Sequence, residues 1–377
     1  MKRLTKYLLI ILCFSIVACG SYKTILKNQN SVERKEDADI IKSANRILAY
    51  DNITIVEKQV IPPSGDKRDY ITMSPYRWPN PKTENGLPYI FRDGEINPEC
   101  RQYSDLRKLN QMIEYVEILS KAYGSTGDDN YAKRAAEFVR VFFIDKKTGM
   151  KPNLYYAQFI PGINDFQPSG ITEMNHLPQF LNAVGKLSPS RGWPKSVSAG
   201  LKKWMGEFYI WMMTSEQGIA ERNNPANIGT TYDYECLSIL KYLGDKKEIK
   251  RFINDYTIPR LEKSVRADGG QPSELRRTLS FTYSCTNIST WILVADIADE
   301  YGVDIWNYGK NNQIYMKSMI DFLLPYATGR KQWEWKQINS DKATRINDAL
   351  VRAAEKYNDT TYHEYLSDIN CVEIINK

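Results

Sequence analysis

Apolar residues recur every three to four positions through most of this chain. Leu106, Leu109, Met112, Ile113, Val116, Leu119 and Ala122 form one such stripe, the period of a helix with a single buried face. The turn Gly124-Ser125-Thr126-Gly127-Asp128 closes it. A second stripe, Tyr131, Ala135, Phe138, Val139 and Phe142, predicts a partner helix over about 130–143. Two helices joined by so short a turn make an antiparallel hairpin. The same spacing predicts helices at His176–Leu187, Val197–Met213, Tyr232–Leu243, Ile249–Val265 with a break at Pro259, Asn287–Tyr301, Gln313–Tyr326 and Arg345–Tyr357. Strand-like alternation is scarce, so the chain reads as all-α.

Helical hairpins in series bury their inner faces either by curving into a ring or by stacking into a solenoid. No fixed-period repeat is present, which counts against a regular solenoid. Three irregular stretches, about 70–105, 148–174 and 218–230, are too long for idle connections and mark where function is to be sought. Eight tryptophans and twenty-five tyrosines suit both thick helix interfaces and sugar-stacking grooves. The expected organisation is a signal over 1–18, a tether with a first helix over 19–44 and one domain over 45–377.

The amino terminus changes the picture of where the protein works. Lys2, Arg3 and Lys6 precede the apolar run Leu8 to Val17 and then Ala18-Cys19-Gly20, the order of a secretory signal rather than a membrane span. Ile16-Val17-Ala18-Cys19 resembles a lipobox, so Cys19 is the expected lipid anchor of a periplasmic or outer-membrane lipoprotein. Removing 1–18 takes the formal charge from +6, by three positive charges, to about +3. No basic block points to nucleic acid. Cys100, Cys236, Cys285 and Cys371 remain in a compartment that permits disulfides; they allow three complete pairings, with isolated buried thiols as the alternative. His176 and His363 are the only histidines and no Cys-x-x-Cys pair occurs, so neither a histidine-rich zinc centre nor another cofactor is expected.

Linked motifs then give the chain a family. Asp69-Tyr70-Ile71-Thr72-Met73-Ser74-Pro75-Tyr76-Arg77-Trp78-Pro79, Leu87-Pro88-Tyr89-Ile90 with Asp93-Gly94-Glu95-Ile96-Asn97-Pro98-Glu99, and Met150-Lys151-Pro152-Asn153-Leu154-Tyr155-Tyr156-Ala157-Gln158 occur in that order. With the 223–233 and 273–283 segments they resemble the bacterial alginate lyase family over about residues 68–338. The resemblance implies an α/α toroid, an incomplete α/α barrel, that cleaves acidic uronate polymers by β-elimination. The family's Asn-Asn-His-Gly-Thr-aromatic-Tyr-Asp signature aligns with Ala226-Asn227-Ile228-Gly229-Thr230-Thr231-Tyr232-Asp233, so Asn227 is retained and Ile228 stands where the family carries its histidine. Its second signature is closely matched by Glu274-Leu275-Arg276-Arg277-Thr278-Leu279-Ser280-Phe281-Thr282-Tyr283. By that match Tyr283 is the acid that protonates the leaving oxygen and a candidate base. In the 161–170 segment Phe166-Gln167 replaces a Gly-Arg pair.

Elimination builds negative charge on a uronate carboxylate, so donors aimed at that group lower the barrier by several kcal/mol. Arg277 and Asn227 join Tyr283 as catalytic candidates, and Gln158, Asn153, Asn164, Trp78, Tyr232 and Arg276 are the substrate-binding ones. A phenol titrates near 10, so Tyr283 needs a neighbouring cation to act as a base. Two rivals remain. One is a binding protein of the same fold; the other is a glycoside hydrolase, with Asp233, Glu235 and Glu274 as its available acids.

Overall fold

The computed structural model describes residues 35, 37–164, 167–369 and 372–374. The expected signal, the lipid anchor at Cys19, Phe166 and Cys371 lie outside the described residues. Helices dominate: α1 (residues 37–47), α2 (Asp105–Thr126), α3 (Asp129–Val139), α4 (Leu177–Leu187), α5 (Lys195–Thr214), α6 (Glu216–Arg222) and α7 (Asn227–Leu243). They continue through α8 (Lys246–Phe252), α9 (Ile258–Ser264), α10 (Pro272–Leu275), α11 (Ser280–Glu300), α12 (Tyr315–Ala327), α13 (Asn347–Tyr357) and α14 (Thr361–Asp368). Successive helices pair: α2 lies on α3 and α4, α13 on α14, and α7 packs against α4, α5, α6 and α11. The architecture is the α/α toroid, and one apolar core runs from Ala44 to Ile374.

Local sequence explains the ends. Gly127 closes α2 at φ 69° and Gly244 closes α7 at φ 82°, left-handed positions that glycine takes without steric cost. Pro259 falls in the first turn of α9 after a π-turn at Ile253–Thr257, which absorbs the break the proline forces. Where expectation and structure differ, tertiary packing extends or creates a helix. Both α7 and α11 begin several residues before their apolar periodicity, and α6 occupies part of the 218–230 stretch expected to be irregular.

Strands are short and sit at the site. β1 (Ile71–Met73) pairs in parallel with β4 (Tyr156–Phe159), and β2 (Arg77–Trp78) pairs antiparallel with β3 (Ile90–Phe91), setting Arg77 opposite Phe91. Two further two-residue ladders join β5 (Gly309–Lys310) to β6 (Gln313–Ile314) and β7 (Asp341–Lys342) to β8 (Glu373–Ile374). No disulfide forms among the described cysteines: Cys100, Cys236 and Cys285 are free, the last two of them buried.

Candidate active site

Tyr283 lies in the first turn of α11, not ahead of the helix as the periodicity implied. It is half-buried, and its hydroxyl lies 2.9 Å from the Tyr76 hydroxyl, which the segment between β1 and β2 supplies. The Arg277 guanidinium sits 4.0 Å from the centre of the Tyr283 ring, a cation–π distance. The same guanidinium is gripped by Asp93: Nε donates to both carboxylate oxygens at 3.1 Å and an Nη donates at 2.7 Å. Asp93 also accepts from the Thr278 backbone N–H at 2.9 Å. Burial pushes the Asp93 carboxyl up, but Arg277 and Thr278 outweigh it and hold the group below the usual range. Burial and the Tyr76 bond push the Tyr283 phenol well above its usual value, against the pull of Arg277.

The second half of the site hangs on the start of α7. Ala226 gives that helix no side-chain cap, and Glu274 takes the role from another element, accepting from the Asn227 N–H at 2.7 Å and from Asn227 Nδ2 at 2.5 Å. A carboxylate at a helix N-terminus satisfies orphan donors and complements the helix dipole. One amide hydrogen of Asn227 is therefore committed inside the protein. Glu274 is tied to Tyr283 as well, because its carbonyl accepts from the Arg277 N–H at 2.9 Å. Ile228, the residue at the histidine position, is half-buried beside Asn227.

Arg260 fixes the approach to α7. Its guanidinium donates to Asp233 at 2.8 and 3.0 Å, to the Arg222 carbonyl at 2.7 Å, and to the Asn224 carbonyl. The fit explains Gly229: a Cβ there would stand 2.1 Å from the Asn224 oxygen and 2.2 Å from an Arg260 nitrogen.

Gln158 sits at the bulge inside the β1–β4 ladder in a left-handed conformation, φ 52°, a strained position for a residue other than glycine. Its N–H donates to Thr72 Oγ1 at 2.8 Å and its Oε1 accepts from Ser169 at 2.9 Å. Beneath lies Glu173, which accepts from Tyr70 at 2.7 Å and Thr72 at 2.8 Å. Burial raises Glu173 to about 7, against the hydrogen bonds of Tyr70, Thr72 and Gln158; Glu221, with neither carboxyl oxygen hydrogen-bonded, is likewise raised by burial to about 7. Because the folded value lies above the ordinary 4.5, protonated Glu173 favours the native state at low pH. That contribution is lost as pH rises from about 4.5 through 7, by roughly 3 kcal/mol for Glu173 alone. Urea denaturation across this range should show stability falling with pH, and Glu173→Gln, which keeps an acceptor, should flatten the slope. An unchanged slope in the variant would refute the assignment.

The remaining candidates divide. Trp78 is half-buried, donates to the Glu95 carbonyl at 2.9 Å and has Arg92 5.1 Å from its ring, so one face is already covered. Asn153 accepts from the Tyr155 N–H at 3.3 Å as a turn residue, Asn164 is exposed in a bridge to Ile160, and Arg276 is exposed beside Arg277. Tyr232 is not a substrate contact: it is fully buried, its hydroxyl bonded to the Met212 carbonyl at 2.8 Å, because its helical position faces α5. Each hydrolase acid is sequestered too. Asp233 is buried against Arg260, Glu235 is buried with both carboxyl oxygens unbonded, and Glu274 is buried against Asn227. Sequence reasoning assigned no role to Tyr76, Asp93 or Phe91, which is 56% exposed with its ring edge toward Tyr76 at 6.4 Å. The partners of Tyr76 and Asp93 lie 207 and 184 residues away, beyond any local pattern.

Fold and site thus define a helical toroid in which a guanidinium stacks on a half-buried phenol and an exposed aromatic ring, Phe91, lies beside Tyr76. The alginate lyase family model matches residues 54–333, and the chain belongs to that family. Among solved structures it is similar to an alginate lyase from Bacteroides ovatus, with TM-score 0.82, 30% identity, and coverage of 89% of this chain and 90% of the other. It also shares the fold of alginate lyase A1-III from Sphingomonas species A1, with TM-score 0.53, 13% identity, and coverage of 84% and 86%. No curated protein matches the chain.

Proposed function

We propose that the protein is a polysaccharide lyase that cleaves alginate or a related uronate polymer by β-elimination, with Tyr283 carrying the proton. The observation that supports this most is the half-buried Tyr283 phenol, stacked on Arg277 and hydrogen-bonded to Tyr76. The 30%-identical relative, matched over nine-tenths of both chains, carries the name alginate lyase. One phenol balances the reaction. The phenol first gives its proton to solvent hydroxide; as phenolate it takes the proton at C5, and the electron pair forms the C4–C5 double bond and expels the glycosidic oxygen, which receives the proton from the phenol. Arg276 is the donor proposed to meet the uronate carboxylate, since Arg277 is paired with Asp93, Asn227 with Glu274, and the Gln158 amide with Ser169 and Glu173. Exposed Phe91 and Tyr155 offer ring surfaces for sugar. The amino-terminal sequence supports export and anchoring through a lipid on Cys19.

Purified protein incubated with polymannuronate, polyguluronate and polyglucuronate should generate the ultraviolet absorbance of an unsaturated uronate from at least one of them. Binding to a polymer with no new absorbance would favour a binding protein of this fold, the reading that Ile228 and the committed Asn227 amide support. Saturated fragments would favour a hydrolase.

A further inference from the structure

The bond pattern around Arg277 is unusual for a cation meant to activate a phenol. Its charge lies over the Tyr283 ring at 4.0 Å, yet Asp93 makes three contacts with its N–H groups at 2.7 to 3.1 Å. Asp93 is locked in turn by the Thr278 N–H at 2.9 Å and the Thr278 hydroxyl at 3.0 Å. The carboxylate comes from the segment after β3, across 184 residues of chain, so it ties the end of the β2–β3 ladder to the segment that leads into the helix carrying Tyr283. Of the other charges nearby, Asp341, which accepts from Thr282 at 2.6 Å, pairs with Arg345, whereas Glu274 has only the neutral Asn227 donors and acts on Arg277 as a second acid without an ion pair to it.

We propose that Asp93 is a positioning residue for the Tyr283 phenol: it holds Arg277 over the ring and offsets its charge, so that Tyr283 rests protonated. The proposal builds on the reading of Tyr283 as the proton carrier. A free cation against the ring stabilises phenolate, whereas a neutral ion pair does so far less; burial and the Tyr76 bond then keep the resting phenol well above its usual value. Neutralising Asp93 leaves Arg277 as an unbalanced cation and moves the phenol down.

The test is a pH titration of full-length protein carrying ¹³Cζ-labelled tyrosine, with the Tyr283 signal assigned by its loss in Tyr283→Phe. In Asp93→Asn the Tyr283 midpoint should fall by about one pH unit or more, while Asp93→Glu, which keeps the charge, should titrate like the parent. An Asp93→Asn midpoint equal to the parent's overturns the proposal. Should Asp93→Asn fail to fold, Asp93→Ser, which also removes the charge, carries the same expectation and the same refutation. Polyuronate cleavage measured in parallel should show its alkaline rise displaced to lower pH by the same amount. A shifted titration without cleavage by any form sinks the lyase reading while Asp93's role stands.

Discussion

Tyr283→Phe should reduce formation of unsaturated uronate by a factor on the order of 10³, within the range that a positioned proton-transfer group contributes. The change removes one oxygen. The ring stays beneath Arg277, which Asp93 holds independently of the hydroxyl, and the bond lost is a single one to Tyr76, worth about 1 kcal/mol of stability. Polymer affinity should therefore stay within about threefold, since no proposed carboxylate contact is altered. Initial rates at saturating polymer separate this from a binding defect: kcat falls and KM barely moves. A variant that keeps more than about a tenth of the parent rate shows that some other group moves the proton, and Tyr76, the hydrogen-bond partner of that hydroxyl, is then the first to replace.

The fold was legible because its signal is local. A stripe such as Leu109, Met112, Val116 and Leu119 is buried by one neighbour whatever the rest of the chain does, and all four residues are fully buried on α2. The start of α11 was not legible, because residues 280–286 are held helical by partners far away: Ser280 donates to the Lys336 carbonyl at 2.7 Å and the Phe281 N–H to Gln337 at 3.1 Å. Among site residues, motif resemblance singled out Tyr283 and Arg277, which the fold stacks together. It misplaced Tyr232, since an aromatic within a signature can serve the core as readily as a substrate. It was silent on what Asp93 and Glu274 do. Each is an unremarkable acid in sequence, and acquires its role only when the chain closes on itself and the carboxylate meets a specific donor set.

The largest stability effect is expected at Arg260, whose side chain is 4% exposed against a fully buried Asp233. Arg260→Leu leaves that carboxylate without its counter-ion and strips donors from the Arg222 and Asn224 carbonyls, so the cost should be about 3–5 kcal/mol in chemical denaturation. The double variant Arg260→Leu with Asp233→Leu should recover much of it, because two apolar side chains replace the pair without stranding a charge. The distinction reaches function. Asp233 was available to a hydrolase, but a carboxylate whose two oxygens are both held by one buried guanidinium has none left for a scissile bond. If the double variant is folded and still produces unsaturated uronate, Asp233 is an anchor for the start of α7, and through Asn227 for the floor of the site. If it folds and loses all cleavage while Tyr283→Phe keeps it, the carboxylate is chemical and the elimination reading fails. A single Arg260→Leu cost below about 1 kcal/mol would instead show that the pair contributes little and that α7 is held by its apolar contacts alone.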